Sequence, residues 1–161
     1  SDWLVHKAIK WNLDQPDDVV ITDYRGGTGC AVETISQCMQ RCFTERPDSP
    51  VLKFCLDVLA LADQTTAAED FFLLDVTEAN HPRHSFDLNL YQADLTLDSI
   101  LPLLPPMLEA QGIQPTQARQ LFGSLLQQSL GHISAGLDRS MQPFCTLYYG
   151  VRPGASMPVL G

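Results

Sequence analysis

Two strand-like segments in the middle of the chain, joined by a polar turn, narrow the choice of fold more than any other part of the sequence. Residues 85–91 alternate strictly, with Phe86, Leu88 and Leu90 on one side and polar residues or tyrosine on the other. This alternation is typical of a strand that buries one face. The apolar segment 70–77 precedes it, and the connection between the two is polar and contains a proline. The sequence therefore predicts an antiparallel hairpin with one face packed against a core.

Helical patterns flank this hairpin on both sides. Residues 30–45 and 51–62 carry apolar side chains with a period of about 3.6, and Ser49 is a favourable N-cap ahead of a proline at the first helical position. Thr96 begins a third helical segment, which several prolines kink or break. Residues 116–130 predict a fourth helix, because their large apolar side chains lie on one face. Each of these faces needs an apolar surface to pack against.

A second hairpin is predicted near the C-terminus, with strands at 132–137 and 143–151. Helix, hairpin and helix therefore follow one another in αββα repeats. We predict the α+β class: an antiparallel sheet of four or five strands built from β-hairpins, with helices packed on one face. A length of 161 residues suits a single domain over residues 1–161, with a loose tail at 153–161.

The N-terminal part predicts a short helix at 1–11, a strand at 17–24 and a loop at 25–29, where three glycines interrupt regular structure. A loop between a strand and a helix lets backbone N–H groups approach a phosphate or carboxylate closely. The candidates for cofactor binding are Gly26, Gly27 and Gly29. The alternative is an ordinary turn between a strand and a helix.

The same loop resembles the first motif of the S-adenosylmethionine-dependent methyltransferases, an Asp-x-Gly-x-Gly-x-Gly run. Asp23, Gly27 and Gly29 match that motif, whereas Arg25 stands at its first glycine position. The resemblance implies S-adenosylmethionine or a nucleotide as the cofactor. The rest of the sequence, however, does not predict the alternating strands and helices that would continue such a sheet.

Charge and composition exclude several classes of protein. The 10 Lys and Arg residues are outnumbered by 19 Asp and Glu residues, and the net charge of −9 argues against nucleic acid and anionic membranes as partners. No apolar run approaches the roughly 18 residues of a membrane span, and the N-terminus does not have the segments of a signal peptide. We therefore expect a cytoplasmic protein. The absent initiator methionine indicates that the sequence is not an intact natural start.

The cysteines form no regular disulfide framework, which indicates a reducing compartment. Cys30, Cys38 and Cys42 lie four or eight positions apart, along one face of a predicted helix. Packing as small apolar residues is the expected role, because a metal site would need ligands from elsewhere in the chain. We assign no metal site. The remaining cysteines are Cys55 and Cys145.

Carboxylates and imidazoles gather around the first hairpin. They are Asp75, Glu78, His81, His84 and Asp87. Groups at such spacing bind divalent cations, but a solvated turn collects the same residue types, and we favour the turn. His132 follows a glycine at the end of the predicted fourth helix, so we expect it to cap or pack against that helix end.

The two hairpins and their helices resemble the aromatic prenyltransferases of the ABBA type, particularly the indole (dimethylallyltryptophan synthase) branch. Residues 71–101 are similar to that branch's strand with a central Asp, polar turn, alternating strand ending in Tyr, and helix. Residues 132–150 are similar to a later hairpin of the family. The resemblance covers roughly half of the chain and implies a closed barrel of ten antiparallel strands, with a prenyl diphosphate and an aromatic acceptor bound inside.

In that family, Arg, Lys and Tyr on inward-facing strand positions hold the diphosphate and shield the allylic cation. The Arg-x-Lys-x-Tyr pattern falls here on Asp87, Asn89 and Tyr91, and Tyr148 matches a tyrosine of the later strand. The resemblance makes these four residues the candidates for ligand binding. Because an Asp without a metal repels a diphosphate, we favour a non-catalytic or diverged domain of prenyltransferase-like ancestry. Such a domain binds a small apolar or aromatic molecule, or a protein partner.

Two further functions stay open: transfer of an isoprenoid group from a diphosphate donor to an aromatic acceptor, and binding of S-adenosylmethionine or a nucleotide at residues 26–29. The architecture is open in the same way, since 161 residues are too few for a ten-stranded barrel. Either the sequence is a piece of a longer protein, or two copies combine as a homodimer, or the sheet is a smaller open one.

Overall fold

The computed structural model describes residues 3–150 of the chain. Within them, strands come in pairs that are separated by helices. The strands are β1 (Trp3–Asn12), β2 (Gln15–Thr28), β3 (Phe72–Glu78), β4 (His84–Asn89), β5 (Leu130–Leu137) and β6 (Pro143–Tyr149). The helices are α1 (Val32–Cys42), α2 (Pro50–Ala62), α3 (Leu97–Ile100), α4 (Pro105–Ala110) and α5 (Pro115–Phe122).

All these strands form one antiparallel sheet in the order β1-β2-β3-β4-β5-β6, so that each pairs with its neighbours in sequence. This confirms the predicted α+β class, with six strands rather than four or five. The register places Asp87 opposite Leu74 on one side and opposite Ser134 on the other, while Asn89 lies opposite His132. Residues that are far apart in sequence therefore lie in rows across the sheet.

Helices pack on one face of this sheet, as predicted. Phe86 and Leu88 of β4 lie on that face beside Ile133 and Ala135 of β5, and all four are almost completely buried. Helix α1 contacts both of these strands, α2 contacts β5 and β6, and the two helices contact each other. Their largest buried side chains are Ile35, Met39, Phe54 and Leu59, and Phe43 is buried directly after the end of α1. The predicted alternation and the helical period thus supply the two halves of a single core.

The opposite face of the sheet, called the second face below, carries the other half of the alternating side chains. In the central strands this half is mainly polar, because strand positions two apart point to the same side. Its central members are Ser85, Asp87, Asn89, His132, Ser134, Thr146 and Tyr148. The candidate ligand-binding residues from the sequence belong to this face.

The prediction of a helix at residues 1–11 is wrong, because residues 3–12 form strand β1; residues 1 and 2 lie outside the described part. β1 pairs along its length with β2, where Ile9 lies opposite Ile21 and Trp11 opposite Val19. All four of these side chains are exposed. Apolar side chains in cross-strand pairs stabilise a hairpin without a core beneath them. The apolar residues of this segment are explained by such pairs and not by the period of a helix.

The predicted strand at 17–24 is confirmed but too short, and the predicted loop at 25–29 is wrong as far as residue 28. β2 continues through Gly26 and Gly27, which pair with Leu74 and Leu73 of β3. A Cβ on Gly26 would lie 2.7 Å from Leu74 Cδ2 and 2.8 Å from the Leu73 carbonyl oxygen. Gly26 therefore lets two strands pack closely, and of these three glycines only Gly29 has a positive φ, at +68°, which favours glycine.

The helical segments mostly follow the sequence. α2 has the predicted bounds, and the third segment is broken into α3 and α4 after a Thr96 capping box. The fourth helix is shorter than predicted, since α5 ends at Phe122. The chain then turns, and the Leu130 N–H donates to the Leu95 carbonyl oxygen at 2.8 Å, so Leu130 begins β5. The predicted tail at 153–161 lies outside the described residues.

Candidate functional site

Four side chains surround His132 near one end of the second face. The His132 imidazole stacks on the Tyr148 ring, with centroids 3.9 Å apart and planes inclined by 20°. The Tyr91 ring meets it edge-on, with centroids 6.0 Å apart. Asp87 and Asn89 lie beside it on β4. We call these five residues, Asp87, Asn89, Tyr91, His132 and Tyr148, the His132 cluster.

Polar contacts orient the members of this cluster. The Tyr91 hydroxyl lies 3.3 Å from His132 Nδ1, and Asp87 Oδ2 lies 3.7 Å from His132 Nε2. With the imidazole proton on Nε2, the Tyr91 O–H donates to Nδ1 and the N–H points toward the carboxylate. The Asn89 side-chain oxygen accepts from the Tyr91 backbone N–H at 3.0 Å. The imidazole is therefore held between a phenol and a carboxylate.

Strand β5 positions the imidazole by a local irregularity. Its register with β6 shifts between Leu130 and His132, at Gly131. A Cβ on Gly131 would lie 2.8 Å from Tyr91 Cε1, so glycine is needed for the Tyr91 ring to approach this strand. The cluster thus depends on a glycine that the sequence alone marks only as a helix end.

Asp87 is the member of the cluster whose pKa is shifted by its surroundings. Burial raises its pKa above the usual range, and the nearby His132 only partly opposes this effect. Its side chain is nevertheless 27% exposed, as is 23% of the His132 side chain, so both groups remain within reach of a ligand. The Asp87 carboxylate can therefore accept a hydrogen bond from a ligand that lies against the imidazole.

The structure brings together all four ligand-binding candidates predicted from the sequence. Asp87, Asn89, Tyr91 and Tyr148 all belong to the His132 cluster. The three glycines are not part of it. Gly26 lies on the second face two strands away from Asp87, and Gly27 points to the helix side. With most of the loop replaced by a strand, cofactor binding at these glycines stays a prediction with no geometric support.

The sequence placed His132 in a strand, which the structure confirms, but the role expected for it differs. The predicted role at a helix end is wrong, because α5 ends ten residues earlier and His132 lies within β5. The alternation of His132 and Ser134 with the buried Ile133 and Ala135 is the signal that marks it as a second-face residue. Only the pairing of β5 with β4, which the sequence does not show, brings this second-face residue into a site.

A second polar cluster lies toward the other end of the second face. The Glu78 side chain is fully buried, and three cations surround it. Arg139 Nε lies 2.7 Å from one carboxylate oxygen, while Arg83 Nη1 and Lys10 Nζ lie 3.2 and 3.4 Å from the other. Burial opposes the charge of Glu78, but the cations outweigh burial and lower its pKa. This cluster joins β1 and β3 to the β3–β4 turn and the β5–β6 turn.

A third cluster lies on the helix side of the sheet. The sulfur atoms of Cys38 and Cys42 and a carboxylate oxygen of Asp75 all lie within 4.8 Å of one another. His84 Nε2 lies 2.6 Å from Asp75 Oδ1. A hydrogen bond from the Cys42 thiol lowers the pKa of Cys38 and raises that of Cys42, while burial opposes ionisation of both.

The hairpin residues that suggested a cation site therefore divide between the faces. Asp75 and His84 point toward the helices, whereas Glu78 and Asp87 lie on the second face. They do not form one site, because neighbouring positions of a strand alternate in direction. The expected burial of the cysteines is confirmed for Cys38, Cys42 and Cys55, and all five cysteines are free thiols.

A cavity of about 630 Å³ lies between the third helical segment and α5, on the outer side of the helices. Leucine and proline side chains dominate its lining, which contains none of the predicted site residues.

Within the described residues, no helix combines the length and apolar character needed to cross a membrane. No protein-family model matches the chain, and no curated protein or solved structure is significantly similar to it.

Proposed function

We propose that this domain binds a small aromatic molecule at the His132 cluster on the second face. The observation that carries the proposal is the convergence of Asp87, Tyr91 and Tyr148 on a single imidazole. These residues come from segments about 60 positions apart in sequence and meet only through the pairing of β4, β5 and β6. They combine flat rings with hydrogen-bonding groups, which is the usual composition of a small-molecule site.

The chemistry of the cluster favours an aromatic ligand that carries an N–H or O–H group. The Tyr148 ring is 40% exposed and lies against His132, so these rings offer a surface for stacking. The Asp87 carboxylate offers an acceptor beside that surface. A ligand with a donor on its ring edge satisfies both at once. An indole or a phenol has this combination of groups.

Binding without transfer is the activity that the residues favour. The positions that resemble the diphosphate-binding Arg and Lys of the prenyltransferases hold Asp87 and Asn89 in this chain. The carboxylate repels a diphosphate unless a cation lies between them. The proposal is therefore a diverged domain of prenyltransferase-like ancestry that binds an aromatic molecule without a diphosphate donor.

Prenyl transfer is the second candidate, and one observation favours it. Lys10, Arg83 and Arg139 all lie around Glu78, whose side chain belongs to the same second face as the His132 cluster. Positive charge at one end and tyrosine rings at the other suit a prenyl diphosphate. The Glu78 carboxylate already neutralises part of that charge, which is why binding alone ranks first.

Calorimetric titration with indole, with and without dimethylallyl diphosphate and magnesium, tests both candidates. We expect the unmodified protein to bind indole and His132→Ala and Tyr148→Leu to weaken binding by about tenfold, which corresponds to about 1.4 kcal/mol. Asp87→Asn is expected to weaken ligands that have an N–H donor more than those without one.

Tyr149→Leu is the matched control. Tyr149 is the next residue of β6, is 38% exposed, and points to the opposite side of the strand from Tyr148. Its replacement is expected to leave indole binding unchanged. Equal losses in Tyr148→Leu and Tyr149→Leu, or no binding of indole by the unmodified protein, would contradict the first candidate. Formation of prenylated indole would establish the second.

A further inference from the structure

Helix α1 places two thiols above a carboxylate of the sheet. Cys38 and Cys42 are one turn apart on the buried side of the helix, where both are at most 2% exposed. Asp75 of β3 points to the helix side, opposite the fully buried Phe86 of β4. Its carboxylate is half-buried there, and His84 and Arg41 are its polar partners. Both sulfur atoms and a carboxylate oxygen lie within 4.8 Å of one another.

We propose that Cys38, Cys42 and Asp75 form a binding site for a thiophilic divalent cation of the zinc class. Two sulfurs and one oxygen are a common partial ligand set for zinc, which accepts Cys and Asp ligands in tetrahedral sites. A water molecule completes such a site. The proposal is independent of ligand binding at the His132 cluster, which lies on the other face of the sheet.

The spacing of the three groups is close to what zinc requires. Zn–S bonds of about 2.3 Å at tetrahedral angles place two sulfurs about 3.8 Å apart. The limit of 4.8 Å between the three ligand atoms leaves a contraction of at most about 1 Å. Small changes in side-chain torsions supply a movement of this size. Both cysteines lie one turn apart on one helix, so the helix fixes the distance between their backbones before an ion binds.

The surrounding groups fit a metal-bound state. His84 Nε2 holds Asp75 Oδ1 at 2.6 Å and so orients the carboxylate, as the residues around metal ligands commonly do. Arg41 Nη2 lies 4.0 Å from Asp75 Oδ2. Two thiolates, a carboxylate, a divalent cation and the Arg41 guanidinium sum to a net charge of zero. On binding, the two thiol protons pass to the solvent and two metal–sulfur bonds form.

The ion has a route into the site. The Asp75 and His84 side chains are 26% and 28% exposed, although the two sulfurs beside them are buried. The site therefore lies at the rim of the core, where α1 crosses the sheet. A cation enters past the carboxylate and reaches the sulfurs last.

Titration of the reduced full chain with Co²⁺, followed by displacement with Zn²⁺, tests the proposal. Cobalt in a tetrahedral site with thiolate ligands gives visible d–d bands and a near-ultraviolet sulfur-to-metal charge-transfer band. We expect both signals, with one metal per chain, and their loss when Zn²⁺ is added. Absence of the charge-transfer band in the unmodified protein would overturn the proposal.

Variants assign the ligands. Cys38→Ser and Cys42→Ser are expected to remove most of the charge-transfer intensity, whereas Cys30→Ser, which changes a half-buried cysteine outside the cluster, keeps it. Asp75→Asn changes a side chain at the rim of the core to one of nearly the same shape. It therefore tests the site even if the cysteine variants fail to fold. His84→Ala is expected to weaken zinc binding by about 10- to 100-fold. A band unchanged in Cys38→Ser, or zinc affinity unchanged in Asp75→Asn, would refute the site.

Discussion

At the scale of single residues, Glu78 shows how burial and charge are balanced in this protein. Its carboxylate has no solvent contact, yet three cations from three different parts of the chain lie within 3.4 Å of it. The cations themselves are partly exposed, with exposed fractions of 43%, 28% and 45% for Lys10, Arg83 and Arg139. Removal of the carboxylate therefore leaves their charges in contact with water.

Glu78→Gln is expected to lower the free energy of unfolding at neutral pH by about 2 kcal/mol, the usual loss for hydrogen bonds to a charged group. Urea denaturation measures this loss. Because the folded-state pKa of Glu78 is lowered, the unfolded chain binds the proton more readily. The stabilisation is present above the ordinary Glu pKa of about 4.3 and decreases as the pH falls through the folded-state pKa. The gap between unmodified protein and variant should close below that range.

Glu45→Gln provides the control, since Glu45 is exposed in the turn after α1. Its stability should follow that of the unmodified protein at every pH. A Glu78→Gln protein whose stability deficit is the same at pH 3 as at pH 7 would show that the pH-dependent contribution comes from other groups.

At the scale of elements, α2 illustrates a helix whose ends are encoded locally. Ser49 Oγ accepts a hydrogen bond from the Val51 N–H at 3.2 Å, and Pro50 occupies the first helical position. These local signals gave the correct bounds of α2. The fourth predicted helix ends at Phe122, directly before Gly123, a local stop signal that the prediction passed over because the apolar pattern continues to Leu130. The residues after Gly123 turn, and Leu130 then begins β5.

Ser49→Ala is expected to destabilise the protein by about 1 kcal/mol, because an N–H at the start of α2 loses its acceptor. Chemical denaturation followed by far-ultraviolet circular dichroism measures the change. Ser124→Ala, an equal substitution at an exposed turn position after α5, should have less than half of that effect. If the two variants lose the same stability, the cap does not contribute as the geometry indicates.

At the scale of the whole molecule, the sheet is a meander whose central strands supply both a core and a polar face. Its assembly depends on close contacts between hairpins that are distant in sequence. Gly136 of β5 is such a contact, because a Cβ there would lie within 2.5 Å of Ser85 Cα on β4. This contact joins the β3–β4 hairpin to the β5–β6 hairpin. These two hairpins carry the parts of the His132 cluster.

Gly136→Ala is therefore expected to lower stability by about 3 kcal/mol, since the added methyl group forces β4 and β5 apart. Thermal unfolding measures the loss. Gly29→Ala meets nothing within 4 Å, although its φ of +68° is unfavourable for alanine, and should cost only about 1 kcal/mol. Similar losses at both positions would show that the backbone relaxes around the Gly136 methyl group.

Local patterns in the sequence were sufficient for the α+β class, the two later hairpins and the cap of α2, whereas the resemblance to the prenyltransferases suggested four members of the His132 cluster. Alternation and helical period arise from the backbone geometry of a single segment, so they are visible without knowledge of its neighbours. Pairing between segments was needed for β1, for the glycines of β2, for the position of His132 and for the meeting of Asp75 with Cys38 and Cys42. Those features depend on contacts across tens of residues, and the free energy of such contacts is shared between segments that no local pattern connects.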